Sequence, residues 1–112
     1  LNENITLGYA YDLTLSDLYL STGDTARALL HADSARAIFP DRLGPWLALA
    51  SVHHAAGRHV EARRALARCI RKETRIRSPA VDRIAHEAER LWREWYGEPP
   101  PRSGTPGQEV LR

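Results

Sequence analysis

Apolar side chains recur every three or four residues through most of the chain, as the buried face of an α-helix requires. Turn-forming and helix-starting residues interrupt this pattern at several points. We therefore predict an all-α fold with helices over residues 8–21, 25–38, 45–56, 59–75 and 79–96. No segment alternates apolar and polar residues while also being rich in β-branched side chains, so no strand is expected.

Glycine, aspartate and proline mark the boundaries of these helices. Gly23 and Gly57 each follow an apolar helical segment, and glycine adopts the positive φ that ends a helix without a penalty from Cβ. Asp24 offers a capping oxygen to the helix that follows it. Pro45 and Pro79 suit the first turn of a helix, where the missing N–H of proline is not needed. These residues predict tight turns between paired helices.

The surroundings of the two glycines repeat with a period of 34 residues. Each glycine is followed five residues later by an alanine, Ala28 or Ala62. A helix–turn–helix unit with this period is typical of tetratricopeptide repeats. The chain resembles that family over roughly residues 9–76. The positions that align with the family pattern hold Asp12, Leu15, Ser16, Tyr19, Ala28, Ala32, Ala35 and Pro40 in the first repeat, and Trp46, Leu49, Ala50, His53, Ala62 and Leu66 in the second.

The chain departs from the family pattern at the start of the first repeat and at the end of the second. The first repeat has Asp12 in place of the opening aromatic residue, and the second has Thr74 where the closing proline would fall. Most other departures exchange one small residue for another or one apolar residue for another. The alternative is a pair of unrelated helical hairpins that coincide in phase.

The resemblance implies a right-handed α-solenoid that binds a protein or peptide in a concave groove lined by the first helix of each pair. Relatives that hold a C-terminal carboxylate use lysine and asparagine at positions that are Leu13, Asp17, Leu47 and Ser51 here, so we expect no such clamp. The groove should instead suit an apolar or weakly basic segment. The family's groove positions correspond to Leu13, Asp17, Leu20, Leu47, Ser51 and His54.

The remaining segments complete the predicted organisation. Residues 1–8 would be the end of a preceding repeat or a linker, and residues 9–76 would form the two hairpins. The fifth helix breaks the period, because Leu91 stands where a third glycine would fall, and residues 77–97 resemble the capping helix of a repeat array. The proline- and glycine-rich residues 98–112 predict a disordered tail.

Positive charge is concentrated in residues 58–77, which carry eight basic residues against two acidic ones. Arg64, Arg68, Lys72 and Arg75 recur at helical spacing and are predicted to share one face. They could form an anion-binding stripe, or simply the solvated outer face of a second helix. We favour the solvated face and do not expect nucleic-acid binding, because no groove-entering motif accompanies the charge.

The sequence offers no support for catalysis, a metal or another cofactor. No histidine, cysteine or acidic residues have the spacing of a zinc site, and no phosphate loop or nucleophile elbow occurs. Cys69 accompanies Leu66 and Ile70 on an apolar helix face, which predicts a buried and inert thiol. No apolar run is long enough to cross a membrane. We therefore expect a binding module and not an enzyme.

The first helix is apolar on nearly every side, which is typical of a helix that is buried all round. This pattern predicts self-association, with Tyr9 and Tyr11 near the open end of the array, although some of these aromatic residues could also line the groove. A homodimer is one outcome. Another is that the chain is a trailing soluble domain of a larger membrane, secretion or glycan-transfer enzyme, where it would assist assembly or substrate positioning.

Overall fold

The computed structural model describes residues 3–101, with side chains from residue 5 onward. This part of the chain consists of five α-helices joined by turns and short loops, and it contains no strand. The all-α prediction is therefore confirmed. The helices are α1 (Glu3–Ser21), α2 (Thr25–Ile38), α3 (Gly44–Ala55), α4 (His59–Ile70) and α5 (Pro79–Tyr96).

The helices pack in chain order, so that α1 with α2 and α3 with α4 form two successive hairpins. In addition α3 contacts α1, and α5 contacts both α3 and α4. The first helices of the two hairpins therefore lie beside each other, and α5 continues the row. This is the arrangement of a helical repeat array, and it places α1, α3 and α5 along one side of the molecule.

The two glycine turns repeat hydrogen bond for hydrogen bond. Gly23 has φ 86° and Gly57 has φ 79°. The N–H of the residue after each glycine donates to a carbonyl five residues back, from Asp24 to Tyr19 at 2.9 Å and from Arg58 to His53 at 2.8 Å. This bond is the mark of a Schellman turn, which ends a helix in the left-handed region. The glycine spacing thus corresponds to equal backbone geometry in both hairpins.

Small residues let the helices of the first hairpin approach closely. Ala28, Ala32 and Ala35 on α2 are fully buried. Within α1, Ser16 is the only fully buried side chain among those described, and its hydroxyl donates to the carbonyl of Ala28 at 2.9 Å. The larger apolar core lies further along the chain, in α3, α4 and α5. It comprises Leu43, Ala50, Ala65, Leu66, Cys69, Ile70, Ala88, Leu91 and Trp92.

Helix α4 is shorter than predicted, since it ends at Ile70 and not at residue 75. Lys72 has φ 53° and occupies the place that glycine takes in the other two turns, because the next N–H, from Glu73, again donates to the carbonyl five residues back. The loop then folds onto the α2–α3 loop, where Thr74 Oγ1 and the Arg75 N–H donate to Asp41. Because this turn has no glycine, the end of α4 has no local signal in the sequence.

Two other predicted boundaries differ slightly from the structure. Helix α1 begins at Glu3, five residues before the predicted start, and α3 begins at Gly44. The predicted tail over residues 98–112 lies outside the described residues from position 102 onward, as do the first two residues of the chain. Within residues 3–101, none of the helices combines the length and hydrophobicity that a membrane span needs.

Candidate functional site

A depression lies between α1, α3 and α5, where the first helices of the array meet. Its volume is about 310 Å³. Four of the six predicted groove positions line it, namely Leu13 and Asp17 on α1 and Leu47 and Ser51 on α3. Because each pair is spaced by four residues, both members lie on the same face of their helix. The full lining is Leu13, Asp17, Gly44, Leu47, Ala48, Ser51, Glu87 and Leu91.

Helix α5 contributes two groove residues that the sequence analysis missed, Glu87 and Leu91. Leu91 belongs to the apolar core as well as to the edge of the groove. One signal was present in the sequence, because Pro79 follows Pro45 by the same period of 34 residues. That spacing marks α5 as the first helix of a third unit, which belongs beside α3.

The groove combines apolar side chains with two carboxylates. Asp17 is exposed and makes no hydrogen bond or ion pair within the described part of the chain. Glu87 accepts two hydrogen bonds from Arg90, at 3.0 Å and 2.7 Å. These hydrogen bonds lower the pKa of Glu87, which is therefore ionised at neutral pH. The local charge favours a partner with cationic character, and Asp17 is the carboxylate whose charge no described neighbour offsets.

The remaining two predicted groove positions, Leu20 and His54, do not line this depression. The His54 ring stacks on Trp95 of α5, with centroids 3.9 Å apart and planes 6° from parallel. Burial lowers the pKa of His54, so this histidine is neutral at pH 7. His54 thus joins α3 to the end of α5, and Leu20 lies half-buried at the turn before Gly23.

The sequence matches the family model described as tetratricopeptide repeat over residues 19–78, which is more than half of the chain. The chain belongs to the tetratricopeptide repeat family. No curated protein and no solved structure matches it. Tetratricopeptide repeats are non-catalytic helical modules that usually bind proteins. The family match and the five helices confirm the predicted repeat architecture.

The aromatic residues of α1 do not form one surface in this repeat array. The Tyr9 ring packs edge-on against Phe39 at 4.9 Å, and the guanidinium of Arg42 lies 5.0 Å from its centre. Burial raises the pKa of Tyr9 despite the opposing effect of Arg42. Tyr11, by contrast, is 66% exposed. Of the two positions predicted for self-association, only Tyr11 therefore presents most of its side chain to solvent.

The four basic residues of the predicted stripe do not share a helix face, because α4 ends before the last two. Arg64 and Arg68 lie on α4, whereas Lys72 lies in the following turn and pairs with Asp82 at 2.8 Å. Arg75 lies in the loop, where its backbone N–H bonds to Asp41.

Arg64 and Arg68 line a shallow depression between α3 and α4 that also contains Glu61 and Glu73. The Arg68 guanidinium lies over the Trp46 ring, 4.5 Å from its centre. Charges of both signs on the second helix of a repeat are typical of an outer surface that faces solvent. The solvated face therefore stays our prediction for Arg64 and Arg68, and anion binding stays the alternative.

No group of three or more histidine, cysteine or acidic side chains in residues 5–101 is arranged to hold a metal ion. Cys69 is fully buried and its thiol lies 3.7 Å from the carbonyl oxygen of Leu43. Burial raises the pKa of Cys69 to about 12. Because the thiolate is the reactive form, this thiol is part of the core and not a nucleophile.

Proposed function

We propose that this tetratricopeptide module binds an apolar or weakly basic segment of a partner protein in the groove between α1, α3 and α5. The observation that supports the proposal is the unpaired carboxylate of Asp17 in a lining that also contains Leu13, Leu47 and Leu91. The leucines contribute affinity by burying apolar surface of the bound segment. The carboxylates of Asp17 and Glu87 select for positive charge and orient the segment.

The same geometry argues against a partner that is held by its C-terminal carboxylate. That mode of recognition needs cations or amide donors in the groove. Within the described lining, the charged side chains are Asp17 and Glu87, and Asp17, which has no partner of opposite charge, would repel a carboxylate. Ser51 offers one hydroxyl donor, which does not offset this negative charge.

A random peptide library displayed on phage, selected against the whole chain, tests the proposal. Enriched peptides should combine apolar residues with at least one lysine or arginine. Asp17→Lys should weaken their binding about tenfold, or about 1.4 kcal/mol, in a fluorescence anisotropy titration. Asp33→Lys is the control for charge, because it makes the same charge change at an exposed position on α2 outside the groove, where it also removes the surface ion pair with Arg36. Equal effects of the two variants, or enrichment of acidic peptides, would contradict the proposal.

A second proposal, self-association through α1, rests on a comparison between the two repeats. Tyr11 and Leu18 are 66% and 57% exposed, whereas the residues one period later, Pro45 and Val52, are fully buried. The difference follows from the array, since α3 packs on α2 and α1 has no helix before it in the described residues. Leu7, also 65% exposed, extends the same stripe.

The opposite end of the array favours a closed dimer over a filament. The outer surface of α5 carries Asp82, Arg83, His86 and Arg90, so ionisable side chains stand there in place of the large apolar side chains of the α1 stripe. Two α1 stripes can instead meet about a twofold axis, which buries both at once. The occupant that we propose for this surface is therefore a second copy of the chain.

Sedimentation velocity over a concentration series tests the dimer. The wild-type chain should shift toward the dimer as concentration rises, and Tyr11→Lys with Leu18→Lys should keep it monomeric. Leu30→Lys is the matched control, because Leu30 is 65% exposed but lies on α2 and outside the α1 stripe. A wild-type chain that stays monomeric at high concentration would refute this second proposal.

A further inference from the structure

A second and larger cavity adjoins the groove at Gly44, which borders both. Its volume is about 510 Å³, within the range of ligand pockets in proteins. Helix α1, the α2–α3 loop, the α4–α5 loop and the first turns of α5 enclose it. It is lined by Tyr9, Arg42, Leu43, Gly44, Thr74, Ile76, Ser78, Ala80, Val81 and Ile84.

We propose that this cavity, hereafter the anchor pocket, receives one large apolar side chain of the partner segment whose basic residue faces Asp17. The inference rests on the proposed function of the groove and adds the specificity of its ligand. Leu43, Val81 and Ile84 provide an apolar lining that an aliphatic or aromatic side chain can bury. A recess of this kind favours a binding hot spot, because the inserted side chain loses much of its contact with water.

The charges around the two depressions set the orientation of the bound segment. Arg42 stands at the anchor pocket, with its guanidinium 4.1 Å from the centre of the Phe39 ring. Asp17 and Glu87 stand in the groove. A basic side chain is therefore repelled from the anchor pocket and attracted to the groove, whereas an uncharged apolar side chain has no such penalty. Charge thus assigns the basic residue to the groove, and the apolar lining of the anchor pocket assigns the apolar residue to that pocket.

Gly44 and two side chains of α1 form the boundary between the two depressions. A Cβ added at Gly44 would lie 3.2 Å from the Tyr9 hydroxyl and 3.8 Å from a methyl carbon of Leu13, so these two side chains fill the space over the glycine. Tyr9 lines the anchor pocket and Leu13 lines the groove. A segment that reaches both depressions therefore passes over Tyr9 and Leu13.

Filling the anchor pocket tests the proposal directly. Ala80 is the second residue of α5, is half-buried and lines the cavity, so Ala80→Phe should occupy it from within. Ala26→Phe is the matched control, because Ala26 is the second residue of α2 and is exposed. The probes are peptides selected from the random library on the wild-type chain, together with N-acetyl-leucinamide and N-acetyl-lysinamide.

Ala80→Phe should weaken the selected peptides about tenfold or more, and Ala26→Phe should bind them as the wild type does. A new selection on Ala80→Phe should keep the basic residue and lose the apolar anchor. In NMR titrations of the wild-type chain, N-acetyl-leucinamide should shift the amide signals of Val81 and Ile84, and N-acetyl-lysinamide should not. This titration needs no variant, so it decides the question even if Ala80→Phe fails to fold.

The two proposals fail in different ways. If the selected peptides depend on Asp17 but bind Ala80→Phe as they bind the wild type, the anchor pocket is refuted and the groove stands. If the library yields no peptide that depends on Asp17, the proposed groove function is refuted. The proposal for the anchor pocket is also refuted if millimolar N-acetyl-leucinamide leaves the Val81 and Ile84 amide signals unchanged.

Discussion

Replacing either turn glycine by alanine should destabilise the fold by an amount set almost entirely by the backbone. Gly23 and Gly57 have φ 86° and 79°, and a Cβ added at either position meets no atom within 4 Å. No steric clash therefore contributes, and the cost is that of an L-residue in the left-handed region, roughly 1–2 kcal/mol. Because the two turns have the same pattern of hydrogen bonds, Gly23→Ala and Gly57→Ala should lower the free energy of unfolding by nearly the same amount.

Gly8→Ala provides a control with the same chemical change and the opposite expected sign. Gly8 lies within α1 and is not one of the glycines with positive φ. A Cβ added at Gly8 also meets no atom within 4 Å. Alanine favours a helix interior over glycine by about 0.5–1 kcal/mol, so this variant should be more stable than the wild type. The contrast separates backbone conformation from any general effect of adding a methyl group.

Urea unfolding followed by circular dichroism would measure all three variants at one fixed protein concentration, which holds any self-association constant. The slope of unfolding free energy against urea should not change, and only the midpoints should move. In a thermal scan, 1 kcal/mol corresponds to about 4–8 °C for a domain of this size. A stabilised Gly57→Ala chain, or a Gly8→Ala chain that loses stability, would refute the argument from φ.

Three further predictions concern the caps, the thiol and the stability of α1. Asp24 caps α2 by accepting a hydrogen bond from the Arg27 N–H at 3.1 Å, whereas Arg58 precedes α4 with nearly the same φ and ψ but forms no side-chain cap. In urea unfolding, Asp24→Ala should therefore lower the free energy of unfolding by about 1 kcal/mol, and Arg58→Asp should raise it by about the same amount. Burial raises the pKa of Cys69 from 9.0 to about 12, so the stability that the protonated thiol contributes is complete below pH 9 and is lost between about pH 9 and pH 12. Cys69→Ala should remove this part of the pH dependence of unfolding, and native Cys69 should not react with Ellman's reagent until urea is added. Since the buried core cluster begins at Leu43, hydrogen exchange should be faster in α1 than in α4.

The sequence predicted those parts of the fold that have local causes. The turns at Gly23 and Gly57 follow from a residue that tolerates positive φ, and the start of α5 follows from Pro79. The end of α4 was missed because Lys72 adopts the left-handed conformation without being glycine, in a loop held by Asp41. Asp41 precedes that loop by more than 30 residues, and pairing over this separation is a property of the folded chain that no local pattern carries.

Some residues of the candidate site could likewise be predicted from the sequence, and others could not. Leu13, Asp17, Leu47 and Ser51 could be assigned because the resemblance to tetratricopeptide repeats supplies the groove positions, and the repeat register transfers them to α1 and α3. Glu87 could not, because its position depends on how α5 rotates against α3. The anchor pocket was not predicted either, since its lining comes from elements whose proximity depends on tertiary packing.

The groove joins two parts of the molecule that are held together differently. Its α1 residues, Leu13 and Asp17, belong to a hairpin packed through small side chains and the buried hydroxyl of Ser16, whereas Leu47 and Leu91 stand on the helices of the larger apolar core. A ligand that contacts both parts binds only when α1 is docked. Its binding energy therefore adds to the stability of the first repeat, by an amount that grows with ligand concentration relative to Kd. Recognition and the ordering of α1 are for this reason expected to be coupled in this module.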